Sequence, residues 1–586
     1  MPQDSGFTRR KLLQAMASSS FLAALGANLT ACSNDGDSDS TFDPIPSAAT
    51  VEFKHGVASG DPLADRVIIW TRATPSTEGR VDLQWEIASD ADFGDIVNSG
   101  TVFTDADRDY TAKADVNSLD AGTDYYYRFR YSGSPSAVES PVGQTRTLGV
   151  GAIAEVSLAV VSCSNYPAGF FNVYREAADG NYDAVLHLGD YIYEYAAGGF
   201  ATQDAEALGR VPDPIGEIVN LEDYRTRYAQ YRSDTDLQAL HARFPFILVW
   251  DDHEVANNTW REGAENHDPD SEGDFAERKM HAIQAYYEWL PIRPPQDLEK
   301  LYRHFQFGDL VDLLMLDTRV VGRDQQLDVN DFATDQILDA AALNAAVSDT
   351  SRTMLGTEQK AWLLDKLTTA TATWQVFGQQ VLMFRGLLPT AIVEAAFVTG
   401  DSNAAFALGL QAQAALAKDP ADRTAEEQAL LASRVPWMLD PWDGYAAERD
   451  EILAAAQQLQ RKLVVLAGDS HNAWASQLTT ANGEIAGVEF ATPGVSSPGI
   501  DGPPPGLNLA DEATATAAEG VLLELFEELQ YLNAFNRGYM NVTFTPAEVR
   551  SEWIFVDTVK SQDYQISASR GKVMRADVDT LLLEDA

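Results

Sequence analysis

The 586-residue chain carries 88 acidic against 42 basic residues, a formal net charge of −46, and 45% of its residues are hydrophobic. That apolar fraction at this length builds a globular core spread over about two or three domains. So acidic a surface repels bare nucleic acid and anionic lipid, which argues against stable nucleic-acid binding, while it suits a salt-rich setting and can gather calcium.

The N-terminus has the texture of a leader. Thr8-Arg9-Arg10-Lys11-Leu12-Leu13 opens an apolar stretch, Leu12–Leu29, that is broken by serines and poor as a membrane span. It resembles a twin-arginine signal, the route for proteins that fold before crossing the membrane. Leu29-Thr30-Ala31-Cys32 closes it and resembles a bacterial lipobox, with cleavage before Cys32 and acylation of its thiol; ordinary cleavage after a small residue is the plainer alternative. The expectations are a signal over 1–32, engagement of the twin-arginine export machinery, a periplasmic or extracellular location, and a lipid anchor through Cys32. Residues 33–48 read as a flexible linker, polar and without apolar anchors at the start (SNDGDSDST).

From 49 to 148 short β segments alternate aromatic and β-branched with polar residues, at Val67–Arg72, Val81–Ala88, Tyr110–Val116 and Tyr125–Tyr131. A small antiparallel β-sandwich of immunoglobulin or fibronectin type is expected, with His55–Pro62 as a loop touching the next domain. From Glu155 onward apolar strands alternate with helical stretches, the mark of a layered α/β domain over 149–586. Val156–Val161 and Ala184–Leu188 flank an amphipathic stretch, Phe170–Ala178, and read as a parallel strand–helix–strand crossover. Helices follow at Leu221–Arg232, Asp234–Ala242 and Ala276–Leu290, with a buried strand at Phe244–Trp250. Beyond them come a hairpin about Gly308-Asp309, a helix at Thr357–Thr368, strands at Trp374–Phe377 and Lys462–Ala467, and an amphipathic helix at Thr514–Leu532. The alanine-rich run 387–434 reads as an insertion that could serve as a lid.

In open α/β sheets functional groups collect beyond the carboxyl ends of the strands. Here those ends carry Cys163; Asp190 and Tyr193; Asp252 and His253; Gln380; and Asp469 and His471. An Asp at one strand end is usually a cap or turn residue; its recurrence along one edge argues for a metal site. Only eight histidines occur in the chain, too few to favour a zinc pair, whereas carboxylates and amides suit a hard cation such as calcium or magnesium. A phenolate from Tyr193 and a thiolate from Cys163 favour ferric iron, and Asp190, three residues before Tyr193, can share that metal and bridge with its second oxygen to a neighbouring one. Cys163 has only Cys32 as a conceivable disulfide partner, and its flanks Ser162, Ser164 and Asn165 are polar, so a ligand role is favoured over a core one.

The motifs SCSNYP, HLGDYIYEY, WDDHEVANN, LDTR and GDSHNAW are long, and together they resemble the alkaline phosphatase D (PhoD-like) family of the metallophosphoesterase superfamily. Gly189-Asp190-x-x-Tyr193 is similar to the iron motif of purple acid phosphatases. The resemblance, which runs from His55 to Val556, implies a calcineurin-like α/β (α+β layered) metallophosphoesterase domain preceded by the sandwich. It implies Fe3+ held by Cys163, Asp190, Tyr193 and His471, with Asp190 bridging to Ca2+ that Asp252 and Asp469 also hold. A further calcium on Asn257 or Asn258 is implied, and Gln380 stands where a fourth-motif histidine is usual. The implied reaction is attack on a phosphate ester by a metal-generated hydroxide, with His253 protonating the leaving oxygen or orienting Asp252, and Arg319 clamping phosphate or serving as a structural ion pair. The expected function is phosphatase or phosphodiesterase activity for phosphate acquisition. The alternatives are a phospholipase D-like phosphodiesterase acting on lipid or wall polymers and a non-catalytic surface adhesion lipoprotein.

Overall fold

A computed structural model of the chain describes residues 42–133, 137–502, 509 and 511–586. The twin-arginine-like stretch, Cys32 and the first part of the linker lie outside the described residues. Among the described residues no helix is long and apolar enough to cross a membrane.

Two large sheets form the body of the protein. The first runs, edge to edge, Leu583–Asp585, Lys572–Asp577, Glu548–Val556, Arg537–Phe544, Val156–Val161, Ala184–His187, Pro245–Leu248, Val57–Gly60, Val67–Arg72 and Thr111–Val116. The second runs Arg303–Phe307, Val311–Met315, Trp374–Gly378, Leu463–Ala467, Ile485–Ala491, Ala473–Thr479 and Leu529–Asn533. Alternation along the strands sets the layers. Val311, Leu313, Met315, Val464 and Leu466 join the cluster that also holds Val160, Val185 and Ile247, so the two sheets pack face to face. Their neighbours Leu314, Leu463, Val465 and Ala467 point the other way, into a cluster with Leu363 and Leu367 of helix Gly356–Thr369 and Ile452 and Leu453 of helix Ala446–Gln458. Helices Asn172–Ala178, Leu221–Arg232 and Phe275–Trp289 cover the outer face of the first sheet. The order is helix, sheet, sheet, helix. The central strands of both sheets are buried on both faces, which is why they read as near-continuous apolar runs.

The N-terminal region differs from a free-standing sandwich. A separate sheet of Gly143–Arg146, Asp124–Tyr131, Val81–Ala88 and Ile96–Thr104 packs through Trp85, Tyr127 and Phe129 onto Val57, Val67 and Ile69. Those last residues belong to strands of the first large sheet, where Ser59 pairs in parallel with Pro245 and Gly60 with Phe246. One leaf of the sandwich is thus an extension of the first large sheet. The segment expected as a loop, His55–Pro62, contains the joining strand; Val57-Ala58-Ser59-Gly60 lacks the bulky alternation that marks strands because it lies under its neighbours. A Cβ on Gly60 would lie 2.7 Å from the Phe246 carbonyl oxygen, so no larger residue fits the join.

One further expectation changes. The helix expected over Thr514–Leu532 ends at Leu525, and Leu529–Asn533 turns back as an edge strand on Ala473–Thr479. The insertion 387–434 is closed at its base by pairing of Leu387–Pro389 with Arg434–Pro436. Its helix Ser402–Leu416 docks on helix Glu512–Leu525, where Gln413 Nε2 donates to the Gly520 carbonyl at 3.0 Å. None of its described hydrogen bonds reaches the strand-end residues.

Candidate metal centre

The strand ends meet as expected, and the backbone is strained where they do. Cys163, Asp190, Asp469 and His471 adopt positive φ angles of 60°, 54°, 56° and 60°. Non-glycine residues avoid this region, so the surrounding contacts must hold each one there. Gly189 makes the turn feasible: its φ is 101°, and a Cβ would lie 2.6 Å from the Asp251 backbone nitrogen. Gly189→Ala is therefore expected to cost at least about 1–2 kcal/mol from the backbone alone, visible as a lowered unfolding midpoint, and to displace Asp190, visible as lost activity.

Ligand atoms of Cys163, Asp190 and His471 lie within 4.8 Å of one another, as do those of Asp190, Asp252 and His253, and those of Asp251, Asp252 and Asp469. Asp190 belongs to two of these sets. The Tyr193 hydroxyl donates to Asp190 Oδ2 at 2.8 Å and lies 3.1 Å from His471 Nε2, which completes the first set with a phenol. His471 Nδ1 donates to the Pro498 carbonyl at 2.6 Å, so Nε2 carries the free lone pair.

Two buried glutamates, within the quoted motifs but assigned no role from sequence, support this frame. Glu254 accepts from the backbone N–H groups of Asp190 at 3.1 Å, Tyr191 at 2.5 Å and Asp251 at 2.7 Å, tying two strand ends together. Burial, with the charge of Asp190 adding, pushes its carboxyl up to about 8 against those N–H groups. Glu194 accepts from His253 Nδ1 at 2.7 Å, Asn257 N–H at 2.7 Å and Asn266 Nδ2 at 2.8 Å. This orients the His253 ring and leaves Nε2 to the centre. Burial pulls the imidazole pKa down, but Asp252 and Glu194 outweigh it and lift it well above the usual range.

Two expected roles are corrected, and the Asn257–Asn258 pair is placed. Arg319 is wholly buried; its Nε donates to Asp251 at 2.5 Å, one terminal nitrogen to Asp440 at 2.8 Å and the other to Asp469 at 2.7 Å. With each guanidinium nitrogen held by a carboxylate it positions the acidic set, as the ion-pair reading had it, and does not clamp phosphate. Gln380 accepts from Thr318 Oγ1 at 2.6 Å and donates to the Trp250 carbonyl at 2.6 Å, cross-linking three strand ends without offering a ligand atom. Asn257 N–H donates to Glu194 Oε1 at 2.7 Å, and Asn258 donates through Nδ2 to Glu265 at 2.5 Å and through its backbone N–H to Asp252 Oδ2 at 2.6 Å, which places this pair beside the acidic set.

The donors fit cations. Asp190 Oδ1 and Asp251 Oδ2 are buried with no hydrogen-bond partner, a costly state that a cation relieves. Burial, with the Asp190 charge adding, holds the Cys163 thiol and the Tyr193 phenol far above their usual pKa values, so each keeps its proton until a cation displaces it. Burial also pushes Asp469 up to about 7 although Arg319 opposes it, while at Asp252 Arg319 and His253 overcome burial and lower the pKa. Two donor sets joined by one carboxylate at the edge of layered sheets suit a pair of cations of the kind that serve hydrolysis.

The model for the PhoD-like phosphatase family matches residues 158–553, and that for the PhoD-like phosphatase N-terminal domain matches residues 39–149. Alkaline phosphatase D of Bacillus subtilis (strain 168) is 31% identical over 594 residues, covering 98% of this chain and 89% of that protein. The solved structure of PhoD superposes with a TM-score of 0.72 at 30% identity, covering 94% of this chain and 93% of that one. The chain belongs to the PhoD-like phosphatase family and is a phosphoric ester hydrolase.

Proposed function

We propose that the chain is an exported alkaline phosphatase or phosphodiesterase that releases phosphate for uptake, working with ferric iron and calcium. The unpartnered Asp190 Oδ1 between the two donor sets carries the metal reading. Thiol, phenol, imidazole and carboxylate at Cys163, Tyr193, His471 and Asp190 suit iron, and the carboxylates of Asp190, Asp252 and Asp469 suit calcium. The twin-arginine-like leader supports export, and the lipobox-like Cys32 supports tethering at the membrane surface.

When bound, the metals supply Lewis acidity that activates water and neutralises phosphoryl oxygens. The chain's own residues do the rest. Glu254 and the strained strand ends hold Asp190 where the two donor sets meet, so that its carboxylate would serve both. Glu194 orients His253, which keeps a proton on Nε2 for the departing ester oxygen; such an acid contributes about 10²–10⁴-fold. Arg319 keeps Asp469 and Asp251 facing the centre.

The test is turnover of a chromogenic phosphomonoester and the matching diester by protein purified in folded form with calcium at alkaline pH, alongside metal analysis. Iron bound in stoichiometric amount, with visible absorption from its thiolate and phenolate, is expected. Full activity in a colourless, iron-free protein would overturn the iron assignment. A monoester-to-diester ratio of kcat/KM well above one supports phosphate scavenging; a ratio well below one makes the protein a phosphodiesterase.

A further inference from the structure

The loop from Ala196 to Asp204 (AAGGFATQD) is made of small and polar residues apart from Phe200. The Phe200 side chain is half-buried, yet it joins none of the hydrophobic clusters. Its ring lies 6.3 Å from that of Tyr193, stacked at 25°, 6.1 Å from His471 and 5.9 Å from Tyr195. Tyr195 in turn lies 5.4 Å from His253. A large apolar ring that adds nothing to a core and borders ligands of the metal centre is placed for whatever enters that centre.

The loop is built to hold the ring still. Thr202 Oγ1 accepts from Gly198 N–H at 3.0 Å and donates to the Gly199 carbonyl at 2.9 Å, and Ala197 N–H is fixed on the Ile215 carbonyl at 2.8 Å. Gly198, with φ of 93° and open space about it, is needed for the turn and not for fit. Beyond Ala201 lies a cavity of about 300 Å³ lined by Gln203, Pro498, Arg537 and Lys560. Its cations are already neutralised, Arg537 by Asp501 at 2.7 Å and Lys560 by Asp204 at 2.6 Å. A second phosphate gains little there, and an uncharged organic group is favoured.

We propose that Phe200, backed by Tyr195, is an aromatic wall that selects phosphate esters whose organic group is a flat ring attached directly to the ester oxygen. The proposal rests on the reading that this centre binds and cleaves phosphate esters. The ring spacings put a phenyl-sized group, one bond from an oxygen at the centre, within stacking reach of Phe200. Selection then comes from a face-to-face contact that an aliphatic polyol cannot make.

The experiment compares kcat/KM for phenyl phosphate and glycerol phosphate in the metal-loaded full chain and in Phe200→Ala, Phe200→Leu and Phe200→Tyr. Intrinsic leaving-group differences cancel when the phenyl-to-glycerol ratio is compared between variants. The ratio should fall about three- to tenfold in Phe200→Ala, the scale of one aromatic contact, fall less in Phe200→Leu and hold in Phe200→Tyr. An unchanged ratio in Phe200→Ala would overturn the wall. Calorimetric binding of phenylphosphonate and methylphosphonate separates this from the parent reading. If neither ester turns over, ester hydrolysis fails, and loss of phenyl preference in Phe200→Ala still supports the wall while its retention refutes it.

Discussion

Asp190→Asn is expected to remove turnover and to lower the content of both metals together. The carboxylate is shared by two donor sets, and its Oδ1 is buried without a partner, so an amide supplies one neutral oxygen where two anionic ones are needed. The loss in kcat/KM should exceed the roughly 10- to 100-fold usual for a residue that only supports a ligand. Metal analysis beside the kinetics decides the matter. Loss of one metal with the other retained would show that Asp190 serves a single centre. Because Glu254 grips the Asp190 backbone and not its side chain, the variant should still fold.

The second large effect concerns stability. Arg319 is fully buried and pairs with Asp251, Asp440 and Asp469, residues from three separate segments of the chain. Removing one partner from a buried ion network leaves charge uncompensated and costs about 3–5 kcal/mol. Arg319→Met should lose that much in urea unfolding of the metal-free protein. Arg319→Lys should recover little, because a compact ammonium cannot reproduce the forked donors that reach three carboxylates at once. Activity should drop as well, through the displaced Asp469. A loss of stability under about 1 kcal/mol, the range of an exposed pair, would return Arg319 to the role of a free phosphate clamp.

What the sequence made legible were features encoded locally. Cys163, Asp190, Asp252 and Asp469 each follow an apolar strand within a few residues, so their gathering at one edge could be inferred from the strands alone. Tyr193 followed from its spacing to Asp190. Arg319 shows what could not be read, since its partners lie tens to over a hundred residues away and only folding brings them within reach. Glu194 and Glu254 were hidden differently: they stand beside stronger candidates in the same motifs, and their role is to accept hydrogen bonds from groups on another segment. Val57–Gly60 was missed because its small residues suit a crowded position in the sheet and therefore look like a loop. Leu529–Asn533 was missed because helical periodicity carries past Leu525, whereas a free sheet edge at Ala473–Thr479 captures the chain.

The strand that delivers Cys163 has a consequence for how the molecule comes into being. Val156–Val161 is flanked on one side by Ala184–His187 and on the other by Arg537–Phe544. Its second neighbour, with Asn541 opposite Ala159, emerges from the ribosome long after it. Until then the strand has an open side, the kind of exposed edge that recruits other chains into aggregates. The join at Ser59 and Pro245 imposes a similar wait on the N-terminal leaf. Pairings this distant in sequence slow folding, so the protein matures late and as a unit, and a prematurely terminated chain is left without a complete first sheet on which to assemble its chemistry.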